Sequence, residues 1–132
     1  MWFYNDKEFT ETDIGNNVGF VYMITNLVDG RRYIGKKLFQ FSKTRQVKGK
    51  KKRIKVASDW PTYWSSSPEL QADVERLGSD NFRRDILYLC GTKGTLSYIE
   101  AREQFSFRVL EQPEAWYNGI IQCRIHRSHV KL

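Results

Sequence analysis

Two β-type segments joined by an Asp-Gly turn constrain the fold more than any other feature of this sequence. Residues 19–26 consist mostly of strong β-formers. Phe20, Tyr22 and Ile24 would lie on one face of a strand, and Val21, Met23 and Thr25 on the other. Asp29-Gly30 follows, a dipeptide typical of hairpin turns, and residues 31–37 then form the returning strand. The chain is therefore predicted to contain an antiparallel hairpin near its N-terminus.

The remainder of the sequence alternates helical and strand patterns. Ser67-Pro68 favours a helix start, because serine caps and proline suits the first helical position. A strand is predicted over residues 82–90, a helix over 96–110 and a short final strand over 120–125. These elements predict an α/β (α+β) fold with a small mixed or antiparallel three-stranded central sheet flanked by helices. Residues 1–17 are expected to form an irregular lead-in, followed by one domain over 18–132.

Length and composition are consistent with a single packed domain of 132 residues, of which 40% are hydrophobic. No apolar run is long enough to span a membrane. The N-terminal residues have neither a basic nor an apolar signal region, so no signal peptide is expected. Cys90 and Cys123 fit no metal-binding spacing and are expected to be reduced, which favours a bacterial or phage-infected host cytoplasm.

Positive charge is concentrated in one segment. Removing its eight cations from the net charge of +7 leaves the rest of the chain at −1. Such an arm suits a polyanion such as DNA, because Lys and Arg that neutralise phosphates release counterions. A solvated loop without a partner is the alternative. The segment is predicted to be a basic hairpin or loop insertion over residues 38–58, and its cations are Lys43, Arg45, Lys48, Lys50, Lys51, Lys52, Arg53 and Lys55.

Glu103 has an unusual place in the predicted helix 96–110. At about 100° per residue, Leu96 and Leu110 lie within about 20° of Glu103, which puts the carboxylate within an apolar stripe. Glu100 lies at the edge of that stripe, about 60° away. An unpaired carboxylate there is costly, so an Arg partner, a metal or a solvent-filled cleft should compensate. Glu103 as a solvent-facing rim residue is the alternative.

Several motifs occur together in an order that resembles the GIY-YIG nuclease superfamily. Phe20-Val21-Tyr22 stands where the first motif belongs, and Tyr33-Ile34-Gly35 matches the second, with eleven residues from Tyr22 to Tyr33. Residues 102–105 resemble the helix that carries the catalytic glutamate, and Tyr117-Asn118 resembles a later tyrosine–asparagine step. The departure is in the first motif, where Phe20 and Val21 replace Gly and Ile.

The resemblance implies a metal-dependent endodeoxyribonuclease, phage-encoded or of the homing type. In that case Glu103 holds Mg²⁺ or Mn²⁺, one of Tyr22 and Tyr33 is the general base, and Asn118 positions the glutamate or the water shell of the metal. A nearby cation would be needed to lower the tyrosine pKa. Without the resemblance, the tyrosines are equally compatible with core packing, and Asn118-Gly119 with a turn.

The catalytic arginine of the family has no unique counterpart here. The stretch after Gly35 is longer than in the family and holds the basic segment. Arg53 and Arg45 are the first choices, and Lys36 and Lys37 directly after Gly35 are alternatives. The guanidinium would hold a phosphate oxygen and stabilise negative charge.

DNA contacts are expected from the basic segment, Lys36, Trp64 and Ser66, because aromatic and hydroxyl groups beside cations can contact bases and phosphates. Core packing of Trp64 is the alternative interpretation. The rival function is a non-catalytic DNA-binding protein that retains the nuclease fold. The sequence leaves open whether the protein is a monomer or a dimer.

Overall fold

A computed structural model describes all 132 residues as a mixed sheet with one helix on each face and a separate two-stranded ribbon. The central sheet has five strands in the order β2-β1-β7-β3-β4. No helix has the length and apolar character needed to cross a membrane. The elements are β1 (Trp2–Tyr4), β2 (Lys7–Phe9), β3 (Gly19–Asn26), β4 (Arg32–Leu38), β5 (Gln40–Val47), β6 (Lys50–Ala57), α1 (Pro68–Leu77), β7 (Phe82–Cys90) and α2 (Lys93–Ser106).

The predicted hairpin is present as β3 and β4, and β3 lies at the centre of the packing. Because successive strand residues point to opposite faces, Phe20 and Tyr22 enter one hydrophobic cluster and Val21 and Met23 enter another. Helix α1 covers the first cluster through Leu70, and α2 covers the second. The fold class is confirmed: the three central strands β7, β3 and β4 are antiparallel and helices flank them.

The N-terminal residues differ from the expected irregular lead-in. β1 pairs in parallel with β7 and antiparallel with β2, so both strands extend the central sheet. Trp2 is buried, and its indole Nε1 donates a hydrogen bond of 2.9 Å to the carbonyl of Trp60. Strands of three residues are too short to show an alternating pattern, so their pairing depends on distant partners.

The helix boundaries agree with the capping chemistry. Ser67 caps α1 by accepting a hydrogen bond of 3.3 Å from the Leu70 amide, and Pro68 opens the helix as predicted. Helix α2 is capped by Thr92, begins at Lys93 and ends at Ser106, four residues before the predicted end. The predicted final strand over 120–125 is wrong, because this segment forms no regular element.

The basic segment is a hairpin, one of the two predicted forms. β5 and β6 pair only with each other, from Gln40 opposite Ala57 to Val47 opposite Lys50. Lys48 and Gly49 form the tip with positive φ angles of 51° and 76°, the backbone that a two-residue hairpin turn requires. We call this hairpin, residues 40–57, the basic ribbon.

Candidate active site

Tyr22 reaches the outer edge of the sheet because its neighbour on β4 is a glycine. Tyr22 lies directly across from Gly35, and β4 is the last strand of the sheet. A β-carbon on Gly35 would lie 2.5 Å from the Tyr22 hydroxyl and 2.8 Å from Cε1 of Tyr33. The space left by Gly35 therefore holds both phenol rings, whose centroids are 6.2 Å apart.

A cleft of about 230 Å³ opens at this edge of the sheet. Tyr22 and Tyr33 come from one face of the sheet, and side chains of α2 come from the other, so the cleft is formed around the β4 edge. Its lining residues are Tyr22, Tyr33, Lys36, Ser66, Glu100, Gln104, Ile120 and Gln122.

Both tyrosines of the cleft are protonated at neutral pH. Burial raises the pKa of Tyr22 well above its usual range, and the neighbouring Tyr33 raises it further. Burial also raises the pKa of Tyr33, although a hydrogen bond with Ser66 (O···O 3.1 Å) opposes the shift. The sequence argument required a cation to lower the pKa of a tyrosine, but loss of hydration has the larger effect in the opposite direction.

Lys36 and Glu100 form the charged side of the cleft. The Lys36 ammonium is exposed and donates a hydrogen bond of 2.7 Å to Ser97 Oγ on α2. Glu100, one turn further along α2, is half-buried. Burial raises the pKa of Glu100, and the positive charge of Lys36 partly offsets this effect.

Gln104, which also lines the cleft, has a buried side-chain oxygen without a partner. Its side-chain nitrogen donates a hydrogen bond of 3.0 Å to the Ile34 carbonyl, which fixes the orientation of the amide. Its Oε1 is buried and accepts no hydrogen bond. A buried acceptor without a donor costs free energy, so this oxygen needs a water molecule or a cation. Glu100 and Gln104 are four residues apart and therefore lie on the same side of α2.

Glu103 is not among the residues that line the cleft. Its Oε1 is 3.1 Å from Nη2 of Arg102, so an arginine supplies the compensation that the sequence argument demanded. The apolar stripe predicted around Glu103 is also shorter than the sequence suggested. Helix α2 ends at Ser106, so Phe107 and Leu110 lie beyond it, and both are exposed.

The first-choice arginines are also away from the cleft. Arg45 and Arg53 lie on the two strands of the basic ribbon with exposed side chains. Lys37 does not line the cleft either: its Nζ is 2.6 Å from Asp59 Oδ1 and 3.9 Å from the centroid of the Tyr63 ring. Lys36 is the one cation that lines the cleft, and it does so from the α2 side of β4, where it contacts Ser97.

Asn118 caps the outer edge of β4. Its amide accepts a hydrogen bond of 3.1 Å from the Ile34 nitrogen and donates one of 2.8 Å to the Ile34 carbonyl. Its neighbour Tyr117 is anchored by a hydrogen bond of 2.7 Å to Asp73 on α1. The contacts of Asn118 are therefore with the strand that carries Tyr33, and not with Glu103.

The two remaining predicted DNA contacts have different surroundings. Trp64 packs at its edge against Phe82, and the buried Arg84 guanidinium lies 4.1 Å from its ring centroid. Its ring is thus used inside the fold, as the core-packing alternative states. Ser66 is exposed and lines the cleft beside Tyr33.

This fold and this site define a nuclease domain of the GIY-YIG class. A mixed sheet with flanking helices holds the two motif tyrosines at its edge, next to a glutamate on a helix. A family model with the description "Putative endonuclease segE, GIY-YIG domain" matches residues 2–121, and the chain therefore belongs to this GIY-YIG endonuclease family. No curated protein and no solved structure matches the chain.

Sequence reasoning missed Glu100 and Gln104 as cleft residues and underrated Lys36. The signal for the first two was the end of the helix, since a helix that ends at Ser106 excludes Leu110 and leaves Leu96 and Ile99 as its buried apolar positions. Residues directly after such positions lie at the flank of the buried face, where a carboxylate can face a cleft.

Proposed function

We propose that the protein is an active, metal-dependent endonuclease that hydrolyses phosphodiester bonds of DNA in the cleft at the β4 edge. The observation that carries this proposal is the convergence of Tyr22, Tyr33, Lys36 and Glu100 on one cleft. Hydrolysis of a phosphodiester needs an oriented water molecule, positive charge near the phosphate and stabilisation of the leaving oxygen. These side chains, together with a divalent cation, provide all three.

The donor atoms of the cleft fit Mg²⁺ or Mn²⁺. Glu100 offers a carboxylate, and the unpartnered Gln104 Oε1 is a second oxygen on the same side of α2. No group of three or more His, Cys, Asp or Glu side chains is present, and Mg²⁺ retains water and takes substrate oxygens beside one or two protein ligands. When bound, the cation supplies charge that stabilises the phosphate and the leaving oxygen. We therefore assign the metal-ligand role to Glu100, in preference to Glu103.

The tyrosine hydroxyls orient the attacking water and the phosphate. Because burial keeps both protonated, each can donate a hydrogen bond to a phosphate oxygen and accept one from water. We assign Tyr33 to the water, because Tyr33 is the less buried of the two residues and its hydroxyl is held by Ser66. Lys36 takes the role of the family arginine and pairs with a phosphate oxygen as a point charge.

DNA is the substrate that the charge distribution favours. The basic ribbon leaves the domain from the C-terminal end of β4, the strand that carries Tyr33 and Lys36. Its cations would hold the phosphate backbone next to the cleft. The rival function, a DNA-binding protein without activity, shares this ribbon and differs only in the chemistry of the cleft.

Cleavage of a supercoiled plasmid with Mg²⁺, Mn²⁺ or EDTA tests the proposal, with wild type beside Tyr33→Phe. We expect nicking or linearisation with metal, none in EDTA, and a strongly reduced rate in the variant. Retention of the plasmid in a gel shift, without cleavage under any metal condition, would instead support the non-catalytic function.

A further inference from the structure

The basic ribbon carries cations on both of its faces. Residues directly opposite each other in the ladder share a face, so the register sorts the side chains into two groups. The first face holds four cations, Lys43, Arg45, Lys50 and Lys52. The second face holds three, Lys51, Arg53 and Lys55, while Lys48 lies at the tip.

These cations are available to an external partner. All eight side chains are exposed. None of them forms a salt bridge, and every ion pair of the chain lies outside the basic ribbon. With eight uncompensated charges, the ribbon repels a second copy of itself and attracts a polyanion.

We propose that the basic ribbon enters the major groove of duplex DNA, with phosphates on both sides of it. A ribbon lying on the outside of a duplex would use the cations of one face only, and those of the other would remain in solvent. In a groove, the two phosphate walls meet cations from both faces. The inference rests on the proposed function in one respect, that DNA is the substrate.

The dimensions of the basic ribbon match the major groove of DNA and not the minor groove. With its two faces toward the two phosphate walls, the ribbon fits by its thickness: about 10 Å with side chains suits a major groove about 12 Å wide and is too thick for a minor groove of about 6 Å. Eight residues per strand extend about 27 Å at about 3.4 Å per residue, long enough to reach successive phosphates along both walls of the groove. An RNA duplex excludes such a ribbon, because its major groove is deep and narrow.

Side chains between the cations are suited to base edges. Apolar residues of the first face include Phe41 and Val47, which are 42% and 39% exposed. Such groups can contact thymine methyl groups. On the second face, Ser42, Thr44 and Gln46 stand opposite the three cations, and their side chains can bond with base edges or phosphates.

The salt dependence of binding distinguishes groove insertion from surface binding. Wild type is titrated in EDTA onto a short fluorescein-labelled DNA duplex at several salt concentrations, and anisotropy gives the binding constant. One variant replaces the four cations of the first face by Gln, and a second replaces the three of the second face. A matched control replaces three exposed cations outside the ribbon, Lys7, Lys93 and Lys131, by Gln.

Insertion predicts that both face variants lose salt dependence. The slope of log binding constant against log salt should become shallower by about 3 to 4 for the first face and about 3 for the second, since each phosphate contact contributes about 0.9. The control should keep the wild-type slope. A major-groove ligand, methyl green, should compete with the protein, and the minor-groove ligand netropsin should not. An RNA duplex of the same sequence should bind more weakly than DNA.

Other outcomes overturn the inference. If one face variant alone changes the slope, or netropsin alone competes, the ribbon binds on the surface or in the minor groove. If wild type cleaves plasmid while both face variants keep its slope, the ribbon is not the DNA contact and the nuclease function stands. If wild type neither binds nor cleaves DNA, the proposed function itself fails.

Discussion

The hydroxyl of Tyr22 occupies the space that a side chain on Gly35 would fill. A β-carbon there would be 2.5 Å from the hydroxyl oxygen and 2.7 Å from Cζ of the same ring. β4 is the edge strand, so this absence of a side chain lets a residue of the inner strand β3 reach the outside of the sheet. The position of the Tyr22 ring, in the first motif, therefore depends on Gly35, in the second motif.

Gly35→Ala should displace both tyrosine rings. We expect the free energy of unfolding to fall by about 1–3 kcal/mol, because the site is overpacked. Plasmid cleavage should fall about 100-fold, the effect of a displacement of about 1 Å in a catalytic group. Gly91→Ala is the control, since no atom lies within 4 Å of its β-carbon position. Equal effects of the two substitutions in cleavage assays and urea denaturation would contradict this account.

Tyr33→Phe should lower the rate of DNA cleavage without lowering the stability of the fold. The substitution removes the hydroxyl that contacts Ser66 and retains the ring, so the thermal unfolding midpoint should hardly change. The cleavage rate should decrease by about 10²–10⁴, the contribution of an acid–base or orienting group. Tyr98→Phe is the control, because Tyr98 lies outside the cleft. Normal cleavage by Tyr33→Phe would remove this residue from the mechanism.

Metal affinity should depend on the protonation of Glu100. Burial raises the pKa of this carboxyl above its ordinary value of 4.5, so a proton competes with the cation at a higher pH than for an exposed glutamate. Calorimetric titration with Mn²⁺ should therefore show an affinity that decreases as the pH falls through that raised pKa. An affinity that falls only below pH 4.5, as for an exposed glutamate, would contradict the assignment.

Asn118→Ala should act through the stability of β4. It removes two hydrogen bonds and leaves the buried amide and carbonyl of Ile34 with fewer partners. We expect a decrease of about 1–3 kcal/mol in the free energy of unfolding by urea. The exposed Asn16, replaced by Ala, should show no such decrease. Unchanged stability of Asn118→Ala with lost cleavage would instead indicate a direct role in the chemistry.

Local chemistry in the sequence was sufficient to predict the central hairpin, the start of α1 and the basic insertion, for which a hairpin was one of two predicted forms. Alternation, an Asp-Gly turn and a Ser-Pro cap each specify structure within a few residues. β1 and β2 were not predictable, because strands of three residues depend on pairing with a strand that lies some eighty positions away, as Trp2 opposite Arg84 illustrates.

The sequence predicted the two tyrosines of the candidate site, but not the acidic residue and the cation beside them. Tyr22 and Tyr33 lie on adjacent strands whose register follows from the hairpin, so their proximity was foreseeable. The choice between Glu100 and Glu103 required the rotation of α2 against the sheet, which the sequence constrains only through the end of the helix. The candidate catalytic cation was sought first at Arg45 and Arg53 of the basic ribbon, whereas the cation that lines the cleft is Lys36.

The most direct test of the account compares Glu100→Gln with Glu103→Gln in metal-dependent plasmid cleavage. Both substitutions preserve the size of the side chain and remove one negative charge from α2, and circular dichroism establishes that both variants are folded. The account predicts that Glu100→Gln abolishes cleavage in Mg²⁺ and Mn²⁺ while DNA binding in EDTA persists, and that Glu103→Gln retains cleavage. The reverse result, activity in Glu100→Gln and none in Glu103→Gln, would contradict the proposed site.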